Sequence, residues 1–160
     1  MFVFFSYWGI CAFFEEIEKE EAIKKALLYR SQYNKPILNA GCQSTDWGDA
    51  NLDIIPRNVK NFVQGNIEDL SQFTDKTFSV AYASHVLEHV NDPVKAIAEL
   101  KRVAHEVIIV VPHIYTPCAW FFPEHKRVFV GDKTISINGV FNDILLAVWL
   151  LLNNHSLKKV

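Results

Sequence analysis

The sequence predicts an α/β fold built on an open parallel sheet, and three observations carry that prediction. From Lys35 onward, short apolar runs of strand length recur between turn residues. One of them, Glu106–Val111 (EVIIVV), has the apolar character of a strand buried on both faces of a parallel sheet. Between Phe78–Ser84 (FSVAYAS) and that run lies an amphipathic helix, and strand, helix, strand makes a right-handed crossover.

The elements follow in chain order. Residues 1–14 are apolar at twelve of fourteen positions, and Ile144–Leu152 is an unbroken apolar run of nine. A spanning helix needs about 20 apolar residues; Glu15 and Glu16 stop the first run, and Asp143 and Asn153 bound the second. No Lys or Arg precedes Lys19, which argues against a secretory signal. Three readings of residues 1–14 stay open: a membrane-surface anchor with Tyr7 and Trp8 at the interface, a partner-binding helix, or an element buried in its own domain. Glu15/Lys19, Glu20/Lys24 and Glu21/Lys25 are i,i+4 pairs in the favourable order, so residues 15–30 read as a solvated helix, joined to the domain by a linker around Ser31–Lys35. Strands are expected at Pro36–Ala40, Asn51–Ile54, Asn61–Gly65, Phe78–Ser84 and Glu106–Val111. In the helix before the last of these, Asp92 is the cap, Pro93 takes the first position, and Ala96, Ile97, Leu100, Val103 and Ala104 form an apolar stripe. Arg127–Val130 and Thr134–Asn138 read as a hairpin around Gly131-Asp132. The resulting organisation is a hydrophobic segment 1–14, a charged helix and linker 15–34, a sheet domain 35–139, and a hydrophobic helix and tail 140–160.

At 160 residues and 18.4 kDa, with 50% hydrophobic and 21% charged residues, the chain suits one globular domain with a real core. A net charge of −2 gives no basic excess to attract nucleic acid. Three cysteines, Cys11, Cys42 and Cys118, with no CxxC spacing argue against a disulfide framework or a structural zinc site, and a reducing, cytoplasmic compartment is expected.

Ligands of an open α/β sheet bind beyond the carboxyl ends of its strands. After the first strand comes Gly41-Cys42-Gln43-Ser44-Thr45, where Gly41 lets the backbone approach a ligand. Asp53, on the second, is placed to accept two hydrogen bonds from a ribose diol. Gly65-Asn66-Ile67 and Ser84-His85 follow the third and fourth. Together these describe a nucleoside-shaped site.

The segments ILNAGC, NLDI, GNIEDL, TFSVAYASHVLEHVNDPVKAIAELKRVA and VIIVVP, over about residues 35–113, resemble class I S-adenosylmethionine-dependent methyltransferases, particularly the type 11 branch. The resemblance implies a Rossmann-like sheet and S-adenosylmethionine as cofactor. Its methionine part would rest on Ala40, Gly41 and Cys42, its ribose on Asp53 and its adenine on Asn66 and Ile67. Ser84 and His85 would line the methyl-transfer side. The sequence departs from the family's GxGxG loop at Gln43 and Thr45, whose Cβ atoms are expected to crowd the methionine moiety. Asn66 replaces a frequent acidic residue. Only twelve positions separate Gly41 from Asp53, too few for the usual helix, so the sheet is expected in reduced form with a more open pocket.

His85-Val86-Leu87-Glu88-His89 also spells H-x-x-E-H, which on a helix would place two histidines on one face for zinc with Glu88 as base. The methyltransferase pattern around it outweighs that reading, and no metal is expected. His89 reads as a helix residue satisfied by a neighbouring carbonyl or carboxylate, Cys42 as a small buried residue, and His105 and His155 as surface residues. Trp47 either covers the cofactor loop or fills the space of the missing helix. A base matters only if the acceptor is a hydroxyl or a protonated amine; His85 and His113 are the candidates. Tyr115, His125 and Lys126 read as parts of a loop packed by Trp120, Phe121 and Phe122. The expected function is methyl transfer to a small-molecule or lipid-like acceptor, with a membrane surface or protein partner meeting residues 1–14 and 144–152. The alternative is a non-catalytic scaffold of the same fold, docked through its hydrophobic ends.

Overall fold

A computed structural model describes residues 2–116, 119–120, 124–130 and 133–136, with side chains given from residue 9 and not for 133–136. Tyr7, Trp8, Cys118, Phe121, Phe122, the Gly131-Asp132 turn, residues 137–139, the 144–152 run and His155 therefore lie outside the described residues or side chains. The chain divides into two compact units, Glu16–Val111 and Met1–Glu15 with Pro112–Val160.

In the first unit, β1 (Ile37–Ala40), β2 (Ala50–Asp53), β3 (Phe62–Gln64), β4 (Phe78–Ser84) and β5 (Ala104–Val110) form one parallel sheet in the order β3-β2-β1-β4-β5. This is the Rossmann-like order, reversing between β1 and β4. β4 coincides with its expected bounds and is buried at six of seven positions. Among the described residues β5 is the last strand of the sheet, half-buried with Ile109 37% exposed, and not the doubly covered strand its apolar run suggested.

α1 (Phe2–Tyr33) is one continuous helix that joins the apolar segment and the charged segment and leaves no linker at 31–33. Its observed ion pairs, Lys19–Glu16 and Lys24–Glu21, are i,i+3 rather than the i,i+4 pairs expected. Ala26 packs on Ile37 and Val80. Arg30 donates to Asp49 Oδ1 (2.8 Å), whose Oδ2 accepts from Ile37 N (2.9 Å), tying the helix to the start of β1. The helix end is held where Tyr33 donates to Glu106 (3.0 Å) and stacks on His105 at 4.6 Å. His105 is thus not a simple surface residue: Lys35 donates to its Nε2 (3.0 Å), and burial followed by the Lys35 and Lys76 charges lowers its pKa. No helix among the described residues is long and apolar enough to cross a membrane.

α2 (Pro93–Val103) fills the β4–β5 crossover as expected, with Asp92 Oδ1 accepting from Lys95 N (3.0 Å) and Ala96, Leu100 and Val103 buried. The other crossovers of the sheet hold no helix. Two side-chain hubs replace those helices. Between β1 and β2 run only residues 41–49, where a parallel crossover usually takes a dozen or more. There the buried Asn51 amide accepts from Gly48 N (3.2 Å) and Asn39 Nδ2 (3.0 Å) and donates to Gly48 O (3.0 Å) and Lys60 O (2.7 Å). The β3–β4 connection is pinned to α2 by Arg102, which donates to Leu70 O, Phe73 O, Asp75 and Glu99.

In the second unit, β6 (Arg127–Val130) and β7 (Lys133–Ser136) pair antiparallel, Val130 opposite Lys133, as the expected hairpin. Ala119, Trp120 and Val128 form its core.

Asn51→Ala should lower stability by about 3 kcal/mol or more, because buried backbone partners each cost about 1–3 kcal/mol when left unsatisfied; urea denaturation checks this. Hydrogen bonding to Arg102 holds the Glu99 carboxyl at about 2, below its ordinary 4.5. That stabilisation is complete above pH 4.5 and drains as pH falls toward about 2. Unfolding midpoints measured across that window should fall less steeply for Arg102→Ala than for the parent.

Candidate active site

The carboxyl ends of β1 and β4 flank the point where strand order reverses, and a cavity of about 320 Å3 opens there. Its walls all come from residues 16–111. Gly41, Cys42, Gln43, Thr45 and Trp47 form one side, Tyr82, Ser84 and His85 another. Three residues of α1 (Glu16, Lys19 and Ile23) close the third, with Asn39 between. Of the expected site residues, the structure brings Gly41, Cys42, Ser84 and His85 together on this cavity. Asp53, Asn66 and Ile67 are not among its walls.

Gly41 has φ +76°, and a Cβ there would collide with Val86 Cγ2. Its glycine is therefore demanded by backbone conformation and by Val86 packing, as well as bordering the cavity. Gln43 occupies a left-handed conformation (φ +48°) that favours glycine, so the turn keeps a glycine-like path with a different side chain. Gln43 and Thr45 are exposed, and the space between the walls stays open despite their Cβ atoms. Thr45 Oγ1 donates to Cys42 O (2.7 Å) and accepts from Asn39 Nδ2 (3.1 Å), closing the turn. Trp47 packs against the Ala26–Ile37–Val80 core and edge-on to Tyr82 at 4.9 Å, and its surface walls the cavity.

The Asp53 carboxylate is 6% exposed and engaged on both oxygens. Oδ2 accepts from Gln43 N and Arg57 Nε, both at 3.0 Å, and Oδ1 from Ile55 N at 3.0 Å. Arg57 was not apparent in the sequence as its partner; i,i+4 spacing signals contact on a helix, and residues 54–58 are irregular. Asn66 turns its Oδ1 onto Glu68 N (2.9 Å), while Ile67 is buried in the core. Ala40 is fully buried in β1.

His85 also lies in the left-handed region (φ +55°), its N–H held by Val110 O (2.9 Å). Its Nδ1 is 3.8 Å from the buried Glu88 carboxylate, which is 4.0 Å from His89 Nε2. Residues 85–89 form a bend and a turn, so the helical face required for zinc binding by His85 and His89 is not formed. Burial, then the Asp53 charge, raises the Cys42 thiol pKa, and burial raises that of the Tyr82 phenol. Both are poor nucleophiles or bases at neutral pH.

His113 belongs to the other unit, in the exposed loop after β5, with its ring 5.1 Å from Tyr115. There His125 Nδ1 meets Ala119 O (3.1 Å) and Trp120 Nε1 donates to Ile114 O (2.6 Å), contacts that pack the loop. Sequence reasoning missed Glu16 and Lys19, whose only signal was their helical register with Ile23.

Gly41→Ala should cost about 2–3 kcal/mol, combining left-handed strain with overpacking. Adding Val86→Ala should recover the collision part alone, leaving about 1 kcal/mol of backbone strain; a double-mutant cycle in urea reads the difference.

A family model described as a methyltransferase domain, type 11, matches residues 30–107. Searches of curated proteins and of solved structures return no match. The match runs from α1's last turn into the first half of β5, the segment that forms most of the reduced sheet and of the cavity wall. Residues 30–107 belong to the type 11 family of class I methyltransferase domains.

Proposed function

We propose that this protein transfers a methyl group from S-adenosylmethionine to a small or lipid-like acceptor. The observation that supports this most directly is the open cavity at the β1/β4 switch point, walled by the Gly41–Thr45 turn and Ser84–His85. The polar wall and close backbone suit the cofactor's methionine end, and Asp53, at the end of β2, suits its ribose. Arg57 holds that carboxylate with a side chain one third exposed, so the ribose hydroxyls compete with a partner that can swing into water. The turn at Asn66, which follows β3, is the place for the adenine, with Ile67 buried beneath it.

S-adenosylmethionine supplies an already electrophilic sulfonium methyl group. The chain's part is to align donor and acceptor and exclude water. His85, on the cavity wall, takes the proton when the acceptor is a hydroxyl or an ammonium, with buried Glu88 beside it as a positioning residue. α1 leaves Ile10, Phe13, Phe14 and Ile17 exposed at i, i+3, i+4 and i+7, which supports an apolar contact, with a membrane surface or a protein, through the N-terminal segment.

Calorimetry with S-adenosylhomocysteine should show one site per chain, weakened at least tenfold by Asp53→Ala. Absence of saturable binding at millimolar ligand would instead assign the chain to the non-catalytic scaffold reading.

A further inference from the structure

Glu16 and Lys19 lie one helical turn apart on α1, and with Ile23 they occupy one face of the helix (i, i+3, i+7), turned to the cavity. They are the two formally charged side chains on its walls, one of each sign. Lys19 Nζ is 3.7 Å from Glu16 Oε2, and their side chains are 31% and 68% exposed. An ion pair this open contributes at most about 1 kcal/mol to stability. Its geometry is therefore easily surrendered to a ligand. Both residues precede the family-matched segment 30–107, so their role does not follow from the match.

The ligand this wall fits carries one negative and one positive charge a few bonds apart, next to a polar surface. The remaining walls supply neutral polar groups: Asn39, Thr45, Tyr82 and Ser84. Asn39, 2% exposed, spends its amide N–H groups on Thr45 and Asn51, so its carbonyl oxygen is the part of the amide left to face a ligand. Asp53, Asn66 and Ile67, the nucleoside-reading set, stand outside these walls. The cavity thus matches the zwitterionic amino-acid end of the cofactor rather than its nucleoside.

We infer that Glu16 and Lys19 recognise that end, Lys19 donating to the α-carboxylate and Glu16 accepting from the α-ammonium. This rests on the cofactor reading above and adds the residues that make binding depend on the amino-acid end. Exposed α1 thereby supplies a charge selection that the Gln43-containing turn does not.

The test titrates the full chain with two ligands of the same nucleoside and thioether: S-adenosylhomocysteine, which carries the zwitterion, and 5′-methylthioadenosine, which lacks it. The parent protein should prefer S-adenosylhomocysteine by at least tenfold. Lys19→Met and Glu16→Gln should each erase most of that preference while leaving 5′-methylthioadenosine affinity within twofold. Melting temperatures confirm that the variants are folded; a pair that served structure alone would move those and not the ratio. Binding of both ligands with an unchanged ratio in the variants overturns the charge-pair inference and leaves the cofactor reading standing. Binding of neither ligand by the folded parent overturns the cofactor reading and the inference with it.

Discussion

The buried amide of Asn51 is the contact on which the sheet and its cavity both depend. Two parallel strands cannot be joined by nine residues without leaving turn backbone groups buried beside them. An amide side chain has two donors and two acceptor sites, and Asn51 uses all four, on Gly48 N, Gly48 O, Lys60 O and Asn39. A helix would have satisfied these groups within its own backbone. Here one side chain does so at the base of a tight loop, and the β1–β2 register follows from where it is anchored.

Shortening that crossover redistributes work among the other elements. Asn39, held by Asn51, in turn holds Thr45, so the network that closes the loop also shapes the turn beside the cavity. Trp47 occupies space over Ile37 and Val80 that a crossover helix would cover. α1 supplies the rest: Ala26 caps the same core, Arg30 ties to Asp49 in the loop itself, and Glu16, Lys19 and Ile23 complete the cavity. The first unit therefore needs α1 although the family pattern begins only at its end. Arg102 plays the matching part across the sheet, with one guanidinium fixing two loop carbonyls and two carboxylates.

Much of this was legible in the chain, for identifiable reasons. α2 was readable from its start because its signals are local: an Asp cap, a proline in the first turn, and a stripe at helical spacing; only Ala104, read as part of that stripe, instead opens β5. β4 was readable because a long apolar run bounded by polar residues has few alternatives. β5 was located but its burial was misjudged, since hydrophobicity does not report strand order. α1 read as two pieces because composition changes at Glu15, whereas backbone continuity depends on the absence of a breaker, and no proline falls between Phe2 and Tyr33. In the site, residues at strand ends were foreseeable from topology alone. Arg57, Glu16 and Lys19 were not, because their positions depend on an irregular loop and on how α1 packs over the sheet.

Two walls of the cavity are built on strained backbone. Gln43 and His85, at the ends of β1 and β4, both hold left-handed conformations that cost non-glycine residues about 1–2 kcal/mol each. Such conformations persist only where surroundings impose them. For His85 the restraint is the β5 carbonyl of Val110; for Gln43 it is the Asp53 carboxylate. Asp53 thus fixes the turn that walls the cavity, and on the proposed reading the same carboxylate receives the ribose. If ribose hydroxyls displace Arg57 from Oδ2, Gln43 N remains that oxygen's other donor, and the turn keeps its shape through the exchange. On the proposed reading, recognition of the nucleoside and geometry of the cavity both depend on one carboxylate, with Arg57 as its exchangeable partner.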